Sequence, residues 1–170
     1  MKIQYSLQFP FPDVTRVYDV RYEKPEFEGF RVSAAESFPL SLTFRKNRVL
    51  AAEGSGSLKL MIPCDRCLTE TEVSVSFEIR DELHLDTHTD AEGEAVFCLD
   101  EEEYLDTDLL AEPFISMNIP MKVLCTENCK GICERCGANL NLGPCACQKT
   151  EAPTKMAEAL MKALQNTNFD

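Results

Sequence analysis

Six cysteines crowd into the stretch from Cys125 to Cys147, and two more stand far upstream at Cys64 and Cys67. This spacing limits what the chain can fold into, because clustered thiols in a C-x2-C rhythm are what thiolate metal ligands require. Zinc takes four soft donors at tetrahedral angles, and one C-x2-C step delivers two of them from a single turn. Eight thiolates can therefore hold two Zn2+ ions, four to each, with Cys98 left over as a small buried or spare thiol.

Geometry suggests how the eight divide. Cys133, Cys136, Cys145 and Cys147 lie close together along the chain and can close one zinc locally, with Gly137 available for a positive-φ turn and Pro144 restricting the return. Cys125 and Cys129, four apart, then share the second zinc with Cys64 and Cys67, closing a loop of about 60 residues. A second partition, with Cys125, Cys129, Cys133 and Cys136 as one site, leaves Cys64 and Cys67 to pair with Cys145 and Cys147. Iron–sulfur clusters also use four thiolates, and the cysteine count alone does not separate them from zinc.

The chain has 170 residues, 44% of them apolar, enough for one domain with its own core, so metal would staple a fold rather than replace its interior. Its opening, MKIQYSLQFPFPDVTRVYDV, holds no apolar stretch suited to a secretory leader or a membrane span. The expected compartment is the reducing cytoplasm, where cysteines favour metal over disulfides.

Net charge is −12, and its location matters more than its size. Residues 81–112 carry 13 acidic side chains and no Lys or Arg, residues 1–80 balance at 11 of each sign, and residues 113–170 hold six basic against five acidic. The negative excess thus belongs to one central segment, which favours solvent exposure, disorder or contact with a basic partner. His84 and His88, the only histidines, read as ordinary residues of this acidic stretch.

Strand signals are clear from residue 40 onward. Leu40-Ser-Leu42-Thr-Phe44 alternates, Arg45 to Arg48 reads as a turn, Val49 to Ile62 continues the pattern, and Val73, Val75, Phe77 and Ile79 alternate again. Thr107 to Pro120 has helical spacing, with Thr107 as the expected N-cap and Pro120 as the stop; Pro113 should kink this helix or delay its start to Glu112. The expected class is α+β, an antiparallel β-meander packed with a helix plus a C-terminal cysteine-rich zinc module. Its parts are an edge strand and irregular crossing over 1–36, the sheet with acidic segment and packing helix over 37–120, the metal module over 121–150, and a helix or tail over 151–170, where Met156, Leu160, Ala163 and Leu164 form an apolar stripe.

Three stretches carry a family resemblance. Leu60-Met-Ile-Pro-Cys64-Asp-Arg-Cys67-Leu68 is similar to a C-x-R-C-L element, Glu112 to Cys125 resembles a helix running into a Leu-Pro-like step, and Cys129-Lys-Gly-Ile-Cys133-Glu-Arg-Cys136-Gly137-Ala-Asn139-Leu140-Asn141 is close to a C-K-G-L-C-x-x-C-G-x-N-L-N signature. In these the chain, over roughly 35–150, resembles the YceD family, also called DUF177 or large ribosomal RNA subunit accumulation proteins; Pro113 departs from the usual helical residue. The resemblance implies a non-enzymatic factor in ribosome biogenesis, needed for accumulation of the large-subunit RNA precursor.

Other sequence features agree with a non-catalytic reading. Four thiolates per metal leave no open coordination position, and no H-E-x-x-H, phosphate-cradling glycine loop, G-x-S-x-G or deaminase signature is present. No small-molecule substrate is expected. If precursor rRNA is the partner, Arg66, Lys130 and Arg135 are the candidate contacts, since RNA binding needs a basic surface. The alternative partner is a basic ribosomal assembly protein engaged by the acidic segment. The sequence leaves the oligomeric state open.

Overall fold

Residues 1–5 and 13–147 are described here from a computed structural model. Eight strands and one long helix follow in order: β1 (Lys2–Gln4), β2 (Val14–Val20), β3 (Glu26–Phe27), β4 (Phe30–Ala35), β5 (Phe38–Arg45), β6 (Val49–Pro63), β7 (Glu70–His84), β8 (Tyr104–Asp106) and α1 (Thr107–Asn118). The larger sheet is antiparallel, in the order β2-β5-β6-β4-β3, with β7 on the other edge of β6. A small second sheet joins β1 to β8.

The long ribbon of β6 and β7 organises this arrangement. Its two strands pair in unbroken register from Val49 opposite His84 to Pro63 opposite Glu70. Alternation explains which face is covered: Val75, Phe77 and Ile79 are buried while Ser74, Ser76 and Glu78 are exposed. Along its other edge β6 serves two partners in turn, β5 from Val49 to Gly54 and β4 from Leu58 to Met61. Gly56 lies where one partner gives way to the other. A Cβ there would stand 2.7 Å from Phe38 and 2.8 Å from Phe77, whose rings meet edge-on with centroids 5.3 Å apart. The aromatic pair therefore needs a residue without a side chain beneath it.

Residues 1–36, expected to supply an edge strand and an irregular crossing, place β2 and β4 in the main sheet as well, with β2 pairing β5 from Val14 to Val20. The short apolar pieces between prolines hid those strands, because each buries only a few side chains. The core gathers Leu40, Leu42, Leu50, Leu58, Leu60, Ile79, Leu83 and Leu105, all essentially buried.

Helix α1 covers part of this core with Leu110, Ala111 and Ile115. Its cap is Asp106 rather than Thr107: the Asp106 carboxylate accepts from the backbone N–H of Asp108 at 3.0 Å and of Leu109 at 3.4 Å. Pro113 does not delay the start to Glu112, for the helix begins at Thr107 and runs through the proline. Proline inside a helix costs about 3 kcal/mol. Burial of three apolar side chains, at roughly 1–3 kcal/mol each, together with a capped first turn, outweighs that loss. The helix ends with Ile119 as its C-cap, just before the expected stop at Pro120.

The acidic segment is folded where it is described. Asp90 accepts from the N–H groups of Glu92 and Glu94, Asp100 from those of Glu102 and Tyr104, and Cys98 and Leu99 insert into the core. Local carboxylate-to-backbone turns thus hold a stretch whose charge alone would favour disorder. Among the described residues no helix is long and apolar enough to cross a membrane. The apolar stripe expected at Met156, Leu160, Ala163 and Leu164 lies outside the described residues.

The described chain divides into two compact units, Met1–Pro63 with Glu70–Val123, and Cys64–Thr69 with residues 124–147.

Candidate metal centre

All eight cysteines expected to bind metal belong to the second unit, and they fall into two groups that could hold an ion. Cys64, Cys67, Cys125 and Cys129 form one, Cys133, Cys136, Cys145 and Cys147 the other, with the sulfurs of each group within 4.8 Å of one another. The second partition, which joined Cys125 and Cys129 to Cys133 and Cys136, does not form. Every cysteine is a free thiol. Cys64 and Cys129 hold their sulfurs 3.8 Å apart, and Cys67 and Cys125 hold theirs at 3.5 Å, much too far for a disulfide. Four sulfurs about 2.3 Å from a central zinc are separated by about 3.8 Å along the edge of a tetrahedron. The donor set therefore fits a single tetrahedral ion.

The two groups begin with the same turn. The amide of Leu68 donates to the Cys64 carbonyl at 2.9 Å and the Cys64 amide to the Thr69 carbonyl at 2.9 Å; the amides of Gly137 and Cys133 repeat this to Cys133 and Ala138, both at 2.8 Å. Each knuckle places the residue after its second cysteine in the left-handed region, Leu68 at φ 60° and Gly137 at φ 70°. Gly137 suits that conformation, whereas a leucine is destabilised there by roughly 1–2 kcal/mol. Leu68 is two-thirds exposed, so little burial offsets the strain.

Ionisation within each group is uneven. At Cys64 burial opposes the thiolate, but backbone N–H groups of Cys125, Arg66 and Cys67 outweigh it and bring the thiol down to about 6. Hydrogen bonding with Cys67, followed by burial and then by Cys129 and Cys64, pushes Cys125 up to about 12. The second group repeats the split: N–H groups of Cys136 and Arg135 lower Cys133 to about 6, while Cys136 raises Cys147 to about 11. Four thiols at this distance resist ionising together, and a divalent cation is what reconciles them.

Around the first group lies a shell of polar partners that the sequence pattern did not disclose. Asn141 donates its side-chain amide to Cys129 Sγ at 3.2 Å and accepts from the Lys130 amide at 2.8 Å. Asn139 accepts from the Asn141 backbone at 2.9 Å and donates to Thr69 Oγ1 at 3.1 Å, itself 3.3 Å from Cys67 Sγ. Both asparagines lie in the loop between Cys136 and Cys145, so residues of the second loop orient the thiols of the first group. Gly131 packs against the Cys64–Cys67 knuckle, where a Cβ would meet the Arg66 carbonyl at 3.2 Å. The only sequence signal for these roles was N-x-N placed between ligand pairs.

Arg66, Lys130 and Arg135 are all exposed in this unit. Arg66 is anchored, its guanidinium donating to the Cys129 carbonyl at 2.9 Å. Cys98 belongs instead to the core of the first unit, where burial pushes its thiol up to about 12 and leaves it an inert apolar side chain.

An antiparallel sheet packed with one helix, in a chain that also carries two four-cysteine groups, defines a class of α+β protein with thiol clusters able to hold metal. The chain belongs to the YceD family of large ribosomal RNA subunit accumulation proteins, whose model matches residues 52–164. Neither the curated proteins nor the solved structures give a match. Membership implies a role in accumulation of large-subunit ribosomal RNA.

Proposed function

We propose that the chain is a zinc-loaded, non-catalytic assembly factor of the cytoplasm that promotes accumulation of large-subunit rRNA by binding its precursor within an assembly intermediate. The observation that carries this reading is the closed donor set of each cysteine group. Four thiolates complete a tetrahedral zinc and leave no position for water or substrate, so the ions act on structure. Zinc is favoured over an iron–sulfur cluster because sulfurs 3.5–3.8 Å apart in the first group, and within 4.8 Å of one another in both, suit one ion, whereas a cluster interposes several iron and sulfide atoms between its thiolates.

Arg66, Lys130 and Arg135 are the proposed RNA contacts. Their exposure, and the anchoring of Arg66 to the ligand loop, support a role in touching phosphates that would depend on metal loading. Charge reversal at the three positions should weaken binding to precursor large-subunit RNA and lower the slope of log K against log salt by about one per lost contact. Unchanged binding and unchanged slope would remove the RNA contact from this unit. Equal recovery of large-subunit rRNA in cells with and without the chain would remove the assembly role itself.

A further inference from the structure

The first unit holds a cavity of about 710 Å3 that the metal sites leave unexplained. Its wall combines β7, the acidic loop and α1. Six carboxylates line it, those of Glu26, Glu28, Asp81, Asp90, Glu92 and Glu112, against the two cations Lys24 and Arg80. Both cations are already engaged, Lys24 by Glu112 and Arg80 by Glu78 at 2.8 Å. Among the described residues no ion pair reaches Asp81, Asp90 or Glu92. Negative potential is therefore uncompensated there. Burial, and after it the neighbouring Asp90, Glu92 and Glu82, hold the Asp81 carboxyl above the usual range.

Charge is half of the description. Phe97 and Met117 also line the cavity and are 85% and 73% exposed, with Phe114 and Leu109 half-buried beside them. Large apolar side chains left in water around a concave acidic site mark a surface awaiting an apolar partner that also carries positive charge. An anionic ligand is excluded by the carboxylates, nucleic acid phosphates included. A simple cation would leave Phe97 and Met117 uncovered.

We infer that this groove docks a basic, amphipathic polypeptide segment, its apolar side chains covering Phe97 and Met117 and its Lys or Arg side chains meeting Asp81, Asp90 and Glu92. The inference goes beyond the RNA contact proposed for the second unit and uses none of its residues. A complex would hold a basic chain away from phosphates until the segment is released. Salt should weaken it, because Glu92 is exposed and Asp81 and Asp90 are only half-buried.

The test uses the full, zinc-loaded chain and three probes: a synthetic amphipathic Lys/Leu peptide, an oligolysine of equal charge, and a single-stranded RNA oligonucleotide. The Lys/Leu peptide is expected to bind and to protect residues 90–98 and 109–117 from hydrogen exchange. Phe97→Ser with Met117→Ser, both at exposed positions that folding tolerates, should lower its affinity about tenfold or more. Asp90→Asn with Glu92→Gln should lower it several-fold and flatten its salt dependence. Failure of the peptide to bind, oligolysine binding equally well, affinity untouched by the apolar pair, or protection of the groove by RNA would each overturn the inference. None of these results bears on Arg66, Lys130 and Arg135, so failure here stays distinct from failure of the RNA contact.

Discussion

The two four-cysteine groups start from one turn and end as different sites. Cys64, Cys67 and Cys129 are buried, and a long stretch of sheet and helix separates Cys67 from Cys125; Cys133, Cys145 and Cys147 are half-buried, Cys136 is exposed, and all four come from one short loop. The first group also has Asn141, Asn139 and Thr69 bonded around it. The same knuckle therefore serves a long-range staple in one case and a local clasp in the other. Burial and loop length set the difference, since ligand chemistry is the same.

Breaking one ligand in each group tests that contrast most severely. Closing a loop of about 60 residues constrains the unfolded chain by roughly 4 kcal/mol, and closing one of about 15 residues by roughly 3 kcal/mol. Cys67→Ser should cost the larger amount and raise hydrogen exchange in 64–69 and 124–131, while Cys136→Ser should raise it in 132–147. Strands β5, β6 and β7 should keep their protection in both, because the first unit has its own apolar core. Matching exchange maps for the two variants would erase the distinction between staple and clasp.

Metal release is the next comparison. Fully loaded protein should contain two zincs, and a chelator should remove them in two phases, the exposed group first. The fast phase should vanish in Cys136→Ser. One phase, or one zinc per chain, would contradict the two-site reading.

Asn141→Ala should weaken zinc about 10–100-fold at the first group, although Asn141 belongs to the loop of the second. Loss confined to the second group, read by competition with a chromophoric chelator in each single-site variant, would show that the Asn141–Cys129 bond has no energetic weight.

The smallest effects concern the knuckles. Gly137→Ala should cost about 1 kcal/mol, and Leu68→Gly should stabilise by about 0.5 kcal/mol once the added freedom of the unfolded chain is subtracted. Chemical denaturation of the zinc-loaded protein measures both. Destabilisation by Leu68→Gly would mean that the leucine side chain contributes more than its exposure indicates.

Much of this molecule was legible in advance, for identifiable reasons. Alternation in Leu40–Phe44 and Val73–Ile79 found β5 and β7 because those strands bury one face only, which writes a period of two into the chain. Cysteine spacing found both four-cysteine groups because a knuckle is local and thiols have few other uses in such numbers. The rest depended on distance. Thr107 looked like a cap, and only the fold showed the Asp106 carboxylate turned onto the first amides. β2 and β4 were hidden because each buries only a few side chains and so writes little alternation into the chain. Leu68 gave no sign of its left-handed backbone, for nothing in leucine asks for one; the knuckle imposes it. Asn139 and Asn141 read as loop residues until the first ligand group stood beside them.

The spacing of the ligands also sets a timetable. At about 5–20 residues per second, synthesis delivers Cys147 roughly one to three seconds after Cys133, so the clasp can load almost as soon as it is made. Cys64 and Cys67 wait several times longer for Cys125 and Cys129. During that interval the β6–β7 ribbon that flanks them can form, but its end holds half a coordination sphere. A nascent chain thus carries two bare thiols at one turn while the acidic segment and the helix are being translated. Translation of Cys125 and Cys129, rather than formation of the sheet, then decides when the first four-cysteine group is complete.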